Sequence, residues 1–309
     1  MGSSLQFVSV IIPALNEEET IGDCLVSLLK MDYPPEQREI LVVDNGSTDR
    51  TAEIVKSFPV RYLREERRGR SYARNQGIEA SKGEILAFTD PDCVVSTKWL
   101  HELVRAFEED GVGGVGGEVL PYPGKTPAER YAFRRVSHSQ KWPMNHPIRP
   151  FAQSHNVAFR REVFQQIGLF DTRFPGGGWD DADLCWRFFR GTNFKIVHAP
   201  KAAVFHRYPT TAKDFFIMHT RYGYGLALIF AKYRGTLSWG WQQRLQACRS
   251  LGKAAWTLTT VGLRHRRSSG EVVNLEKAYF DFLRELGQLM GFLRGALSRR
   301  RLDLLARGP

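Results

Sequence analysis

The chain has 309 residues, 42% of them hydrophobic, and a formal net charge of +11. That length supports one or two domains with a sizeable core, and it excludes a small stapled scaffold or a disordered chain. No window approaches 18 consecutive apolar residues and the N-terminus lacks a basic-then-apolar leader pattern, so neither a transmembrane helix nor a signal peptide is expected.

Four scattered cysteines, Cys24, Cys93, Cys185 and Cys248, form no Cys-x-x-Cys pair, which suits structural thiols in a reducing, cytoplasmic setting. The charge is uneven. Residues 201–309 hold 19 Lys+Arg against six Asp+Glu, so the basic excess belongs wholly to the last third. Such a region suits an anionic membrane surface, a phosphorylated acceptor or nucleic acid, or simply a solubilising helical surface. No recognised nucleic-acid motif accompanies it.

In chain order, Phe7 to Pro13 reads as a β-branched strand ended by proline, and Glu17 to Lys30 carries a helical apolar face at Ile21, Leu25, Leu28 and Leu29. A second buried strand, Glu39 to Val43, closes at Asp44-Asn45-Gly46-Ser47, and a helix follows through about Ser57. Val60 to Leu63 is a short third strand, Ser71 to Ala80 a helix, and Ile85 to Thr89 a buried strand that stops at Asp90-Pro91-Asp92. Alternating strands and helices at this spacing predict βαβ units and a mostly parallel sheet, with sites at the strand carboxyl ends. Two hard oxygen donors at such an end suit a divalent cation gripping a diphosphate, although Asp-Pro-Asp is equally good turn chemistry.

Trp99 to Glu109 reads as helix, and the glycine run 111–117 as a strand with close backbone packing. Residues 121–150 form a proline- and aromatic-rich excursion. Asn156 to Arg160 is a strand, Arg161 to Ile167 a helix, and Pro175 to Gly178 a loop. Asp181 to Arg190 follows as a helix with acids at its N-terminus, then Phe194 to Ala199 as a strand. From Thr211 the chain is helical and basic. Residues 279–305 carry Phe280, Leu283, Leu286, Leu289, Met290, Leu293 and Leu297 at near-helical spacing, which suits packing on the core or lying in a membrane interface.

Five segments in order carry a resemblance: Val8 to Glu19, Val42 to Thr51, Ala73-Arg-Asn-Gln-Gly77, Phe88-Thr-Asp-Pro-Asp92 and Trp179-Asp-Asp-Ala-Asp-Leu184. Together they resemble a family 2 glycosyltransferase of the GT-A fold over roughly residues 7–225. The resemblance implies a GT-A α/β domain over 1–225 (a nucleotide-binding half to about 92, an acceptor half beyond) and a helical basic region over 226–309. It further implies a nucleotide-sugar donor (UDP-sugar ahead of GDP-sugar), Mg²⁺ or Mn²⁺, and inversion at the anomeric carbon.

By position, Asp44 resembles the carboxylate that accepts from the base. Pro13, Asn16 and Glu17 line base and ribose. Asp90 lies near the ribose, Asp92 is the metal ligand bridging to the diphosphate, and Arg74 is a basic residue near the donor. Asp181 matches the general base, with Asp180 standing where glutamate is commoner. His206 resembles a further metal ligand, Asn156 an acceptor-side or sugar contact, and Trp179 an aromatic that stacks on a sugar. Asp183 is expected to be structural or to pair with Arg187.

The absence of Gln-x-x-Arg-Trp favours single-sugar transfer over chain synthesis. The expected acceptor is a lipid-linked or cell-envelope glycan, reached by a cytoplasmic protein with its basic region on the inner membrane face, and segments 121–150 and 175–179 are expected to set acceptor choice. Two rivals are a nucleotidyltransferase, which would normally carry a Gly-rich basic loop in place of Ala14 to Glu17, and a silent sugar-nucleotide scaffold, against which Asp44, Asp90, Asp92 and Asp181 together argue.

Overall fold

A computed structural model of the chain describes residues 6–135, 144, 150–174, 178–233, 241–265 and 272–298. Two units emerge. The first comprises residues 1–122, 136–175 and 180–207; the second comprises 123–135, 176–179 and 208–309.

The first unit is built on an eight-stranded sheet in the order β3-β2-β1-β4-β7-β6-β8-β5. β1 (Val8–Ala14), β2 (Arg38–Asp44), β3 (Arg61–Arg64) and β4 (Ile85–Thr89) are mutually parallel. β1, β2 and β4 are near-continuous buried runs because helices cover a parallel sheet on both faces. β7 (Asn156–Arg160) then runs antiparallel to both β4 and β6 (Val112–Pro121), and β8 (Lys195–His206) is parallel to β6. β5 (Cys93–Val95) pairs antiparallel with the last residues of β8.

The reversal at β7 has a useful consequence. The carboxyl ends of β1, β2, β4, β6 and β8 and the amino ends of β5 and β7 all lie along one sheet edge. The helices of this unit are α1 (Ile21–Leu29), α2 (Thr51–Lys56), α3 (Arg70–Ala80), α4 (Trp99–Arg105), α6 (Arg161–Ile167) and α7 (Asp180–Gly191). α3 lies flat on the sheet because Gly77 carries no side chain; a Cβ there would stand 2.4 Å from Ile11 Cγ2.

Two expectations change here. β8 does not stop at Ala199 but continues to His206. It accommodates Pro200-Lys201-Ala202 as a bulge, because its register against β6 jumps from Gly117↔Ala199 to Glu118↔Ala203. Asn156 closes that bulge and is not a sugar contact. It is fully buried; its Nδ2 donates to the carbonyls of Glu118 (2.7 Å) and Ala202 (2.8 Å), and its Oδ1 accepts from Trp99 Nε1 (2.8 Å). Gly117 makes room for it, since a Cβ there would lie 2.3 Å from the Ala202 carbonyl and 2.4 Å from Asn156 Nδ2.

The second unit is helical: α5 (Pro127–Arg135), α8 (Ala212–Lys232), α9 (Trp241–His265) and α10 (Val272–Leu297). A domain boundary at 225 would cut α8, which is continuous and belongs wholly here. Thr211 caps α8 by accepting from the Asp214 backbone N–H. Tyr131, Phe215 and Phe280 form its aromatic core with centroids 5.1–5.4 Å apart.

α10 crosses α8 closely through Gly287, Gly291 and Gly295, a stripe every four residues. A Cβ on Gly291 would sit 1.9 Å from the Thr220 carbonyl. The apolar stripe on α10 is therefore split. Phe280 and Leu283 pack inward, while Met290, Leu293 and Leu297 are exposed. The arginines at 299–301 lie outside the described residues. No described helix is long and apolar enough to cross a membrane.

Asn156→Ala strands the Trp99 indole N–H and two carbonyls in the interior, each worth about 1–3 kcal/mol. Urea unfolding is expected to show a loss of about 3 kcal/mol or more, with Asn156→Asp no better because a carboxylate cannot donate to those carbonyls.

Candidate functional site

The loops that leave β1 and β2 are laced together. Asn16, at a left-handed φ of 55°, accepts from the Thr48 N–H through its Oδ1 (2.8 Å) and donates its own N–H to Ser47 Oγ (2.9 Å). Pro13 is buried in β1, where it pairs with Val43 of β2 beyond the last pairing with β4. Asp44 ends β2 without exposed surface; its Oδ1 accepts from the Ser47 N–H and its Oδ2 from the Tyr62 hydroxyl, both at 2.8 Å. Arg64 stands 4.0 Å from the same carboxylate. Asn45 then pins the loop 65–69, donating to the Glu65 and Arg67 carbonyls and accepting from the Gly69 N–H. This is a hydrogen-bonded, polar-lined cradle with the Asp44 carboxyl group at its base.

The next station is the end of β4. Asp90 is nearly buried, with Arg70 Nη1 at 3.6 Å and Arg74 Nη2 at 3.4 Å. Burial pushes its carboxyl up, but Arg70 and Arg74, helped by His155 and His206, outweigh that and hold it at about 2. Asp92 is more open, at 25% exposure, and His206 Nε2 lies 3.5 Å from its Oδ2. The strand pairing brings these together: Cys93, next to Asp92, sits directly across from His206 in the β5–β8 ladder, and the Arg207 N–H donates to the Asp92 carbonyl. The His155 ring stacks at 4.9 Å from that of His206.

Glu17 was expected to line only the nucleoside. Burial and the nearby charge of Asp92 instead push its carboxyl up to about 7, against a hydrogen bond from Thr20, so it also belongs to this acidic cluster. Carboxylates gathered beside an imidazole, one of them pushed up by the others' charge, fit a divalent cation that would offset that charge.

The third station is the N-terminus of α7. Asp180 is buried and accepts from Arg74 Nη1 at 2.6 Å and from Ser71 Oγ at 3.2 Å. It is therefore not an acceptor-side contact but the anchor of its neighbour. Arg74 is 2% exposed and spans Asp90 and Asp180, over the face of Phe170. Asp181 accepts from the Ala182 N–H (2.8 Å) and the Ser154 N–H (3.3 Å). Burial, then the charge of Asp180, push its carboxyl up to about 6 against the pull of Arg74. A carboxylate poised there is a competent proton acceptor near neutral pH. Asp183 pairs with Arg187 at 3.0 Å, as the sequence suggested.

Trp179 lies in the second unit at φ 74°, and its indole N–H donates to the Tyr222 carbonyl at 3.1 Å. Residues 136–143, 145–149 and 175–177 lie outside the described residues, so the expectation that these segments choose the acceptor is not addressed by the fold. Sequence reasoning missed Arg70, His155, Ser71 and Tyr62. Arg70 had a signal, since it precedes Arg74 by one helical turn and so shares its face. His155 had only its place beside Asn156.

Residues 9–168, more than half of the chain, match the family model for glycosyl transferase family 2. The chain belongs to that family. Among similar proteins, glycosyltransferase AglE of Haloferax volcanii is 41% identical over 195 residues, 60% of this chain and 62% of its own length. The match to that relative thus spans less than two thirds of it. The dolichyl N-acetyl-α-D-glucosaminyl phosphate 3-β-D-2,3-diacetamido-2,3-dideoxy-β-D-glucuronosyltransferase of Methanococcus voltae is 25% identical over 76% of this chain and 77% of its own. The fold is shared with mannosyltransferase PcManGT of Pyrobaculum calidifontis, solved with GDP-Man and Mn²⁺, at a TM-score of 0.64 and 22% identity over 96% of this chain and 89% of that one.

Asp181→Asn removes a charge that the fold holds at a cost. Its folded pKa lies above the unfolded value, so the charged form destabilises the protein as pH rises from about 4 through about 6. At pH 8 the variant should melt no lower than wild type, by calorimetry, while losing at least about 100-fold in sugar transfer, the least expected when a proton acceptor is lost.

Proposed function

We propose that the protein is a metal-dependent, inverting glycosyltransferase that moves a single sugar from a nucleoside diphosphate donor to an acceptor hydroxyl. The carrying observation is that Asp44, the Asp90–Asp92–His206 group and Asp181 meet along one sheet edge, in the order a nucleoside, a diphosphate and a sugar would occupy. Asp44 would accept from the base once Ser47 or Tyr62 yields one of its carboxylate oxygens, and the 13–17 loop borders the ribose. Asp92 and His206 would hold Mg²⁺ or Mn²⁺, with Glu17 close by; the cation offsets charge on the departing diphosphate.

Asp181 takes the acceptor proton as the acceptor oxygen attacks the anomeric carbon. The new C–O bond forms opposite the bond to the phosphate, which breaks with its electron pair on the diphosphate. Attack from the far side inverts the centre. Asp180, fixed by Arg74, holds Asp181 in place and raises its basicity.

A carboxylate accepts equally from a uracil N3–H or from the N1–H and amino group of guanine. The UDP preference therefore rests on family resemblance, and PcManGT was solved with a guanine nucleotide. A thermal-shift series separates them: with Mn²⁺ present, one class of nucleotide sugar should raise the melting temperature by mass action, and Asp92→Ala should abolish the Mn²⁺-dependent part. No shift with any nucleotide sugar would overturn the donor assignment.

For the acceptor we propose a lipid-linked sugar at an anionic membrane. Relatives named for dolichyl phosphate substrates support it. So does the second unit, where Trp256 (71% exposed) and Leu263 share a helical stripe with the exposed Arg249 and Lys253, and α10 exposes Leu293 and Leu297. Sedimentation with vesicles should show binding that requires anionic lipid and falls with salt; equal binding to neutral vesicles, or none, would remove the membrane from the reading.

A further inference from the structure

Cys93 has no part in the mechanism above, yet the fold aims it at the cation site. It is the first residue of β5 and pairs across the ladder with His206, so their side chains stand directly opposite each other. The Sγ lies 3.7 Å from Asp92 Oδ1, and His206 Nε2 lies 3.5 Å from Asp92 Oδ2. One oxygen of Asp92, the Cys93 sulfur and a ring nitrogen of His206 all lie within 4.8 Å of one another. Metal–ligand bonds of about 2.0 Å to nitrogen or oxygen and about 2.3 Å to sulfur put tetrahedral ligands roughly 3.5 Å apart. Both separations lie near that figure, the sulfur beside one oxygen of Asp92 and the imidazole beside the other.

We propose that Asp92, Cys93 and His206 form a three-ligand site for a thiophilic divalent cation of the zinc or cadmium kind. The proposal shares Asp92 and His206 with the donor site but does not need the donor. Sulfur is a poor partner for Mg²⁺ and a weak one for Mn²⁺, whereas a thiolate–imidazole–carboxylate set is a zinc-type donor set. Binding breaks the Cys93 S–H bond, forms a metal–sulfur bond and releases the proton to solvent, with no change of oxidation state. The cation's own charge drives that release. A zinc ion held this way competes with Mg²⁺ or Mn²⁺ for Asp92, so the same edge that would activate the donor is also where zinc would silence it.

The test uses the full chain without nucleotide, in a Cys248→Ser background that removes the one exposed thiol among the described cysteines. Cadmium titration should give the ultraviolet cadmium–thiolate band at one equivalent; Cys93→Ser should abolish it and Cys24→Ser should not. Competition with a chromogenic chelator should show zinc affinity falling by at least roughly 100-fold in Cys93→Ser, since loss of even an outer-shell partner costs 10–100-fold. Manganese affinity should fall far less. Zinc X-ray absorption on the background protein needs no change at Cys93, and should show one sulfur at about 2.3 Å. A purely nitrogen–oxygen shell, or a band that survives Cys93→Ser, would overturn the proposal. Failure of nucleotide-sugar binding would leave all three readouts standing and would count only against the donor site.

Discussion

Arg74 is 2% exposed and reaches two carboxylates that belong to different parts of the site: Asp90, at the end of β4, and Asp180, at the start of α7. A guanidinium can serve both because its planar fork presents donors in more than one direction. None of the three groups tolerates solitude. Removing the guanidinium would take from buried Asp180 its arginine and leave Asp90 with Arg70 alone of the two, and breaking one such buried pair costs about 3–5 kcal/mol. The bridge thus ties the metal-side loop to the helix that carries Asp181, and any shift of one is felt by the other.

The same bridge sorts the chemistry of neighbouring carboxylates. Asp90, facing Arg70 and Arg74, is held ionised. Asp181 is pushed the other way, first by burial and then by the charge of Asp180, against the pull of Arg74. Shortening the first acid of the pair from glutamate to aspartate fits this arrangement: the carboxylate must reach Arg74 and Ser71 inside the fold, not a ligand outside it. Two acids adjacent in sequence thereby differ by environment: one is tied to Arg74 and Ser71, and the other has the raised proton affinity that the proposed base needs.

Much of this was legible in the residues, and the failures have physical reasons. The buried runs at 8–14, 38–44 and 85–89 announced a parallel sheet because alternation is lost when both faces are covered, and the acids after them marked its functional edge. Asp183 and Arg187 were readable from helical spacing. Asn156 was not: an asparagine that closes a β-bulge carries the same letter as one that binds a sugar, and the bulge itself depends on Gly117 and on pairing between strands far apart in sequence. The carboxylates that Arg74 serves were not legible either: resemblance set it near the donor, and only the fold shows it buried between Asp90 and Asp180.

The second unit shows how periodicity can point two ways at once. The α10 stripe looked like either a core-facing or a membrane-facing surface, and it divides between them. Glycines at 287, 291 and 295 bring α10 so close to α8 that backbone carbonyls fill the space a side chain would take, as with Gly291 against Thr220. Close contact of this kind consumes a narrow face of the helix. Leucines flanking that face, such as Leu293 and Leu297, are then rotated outward rather than buried. A helix packed through leucines would need a wider apolar face turned inward; one packed through glycines frees its leucines for another surface. The exposed apolar residues of this unit are therefore a consequence of how tightly its helices pack, and the excess of Lys and Arg around them sets which surfaces they can meet.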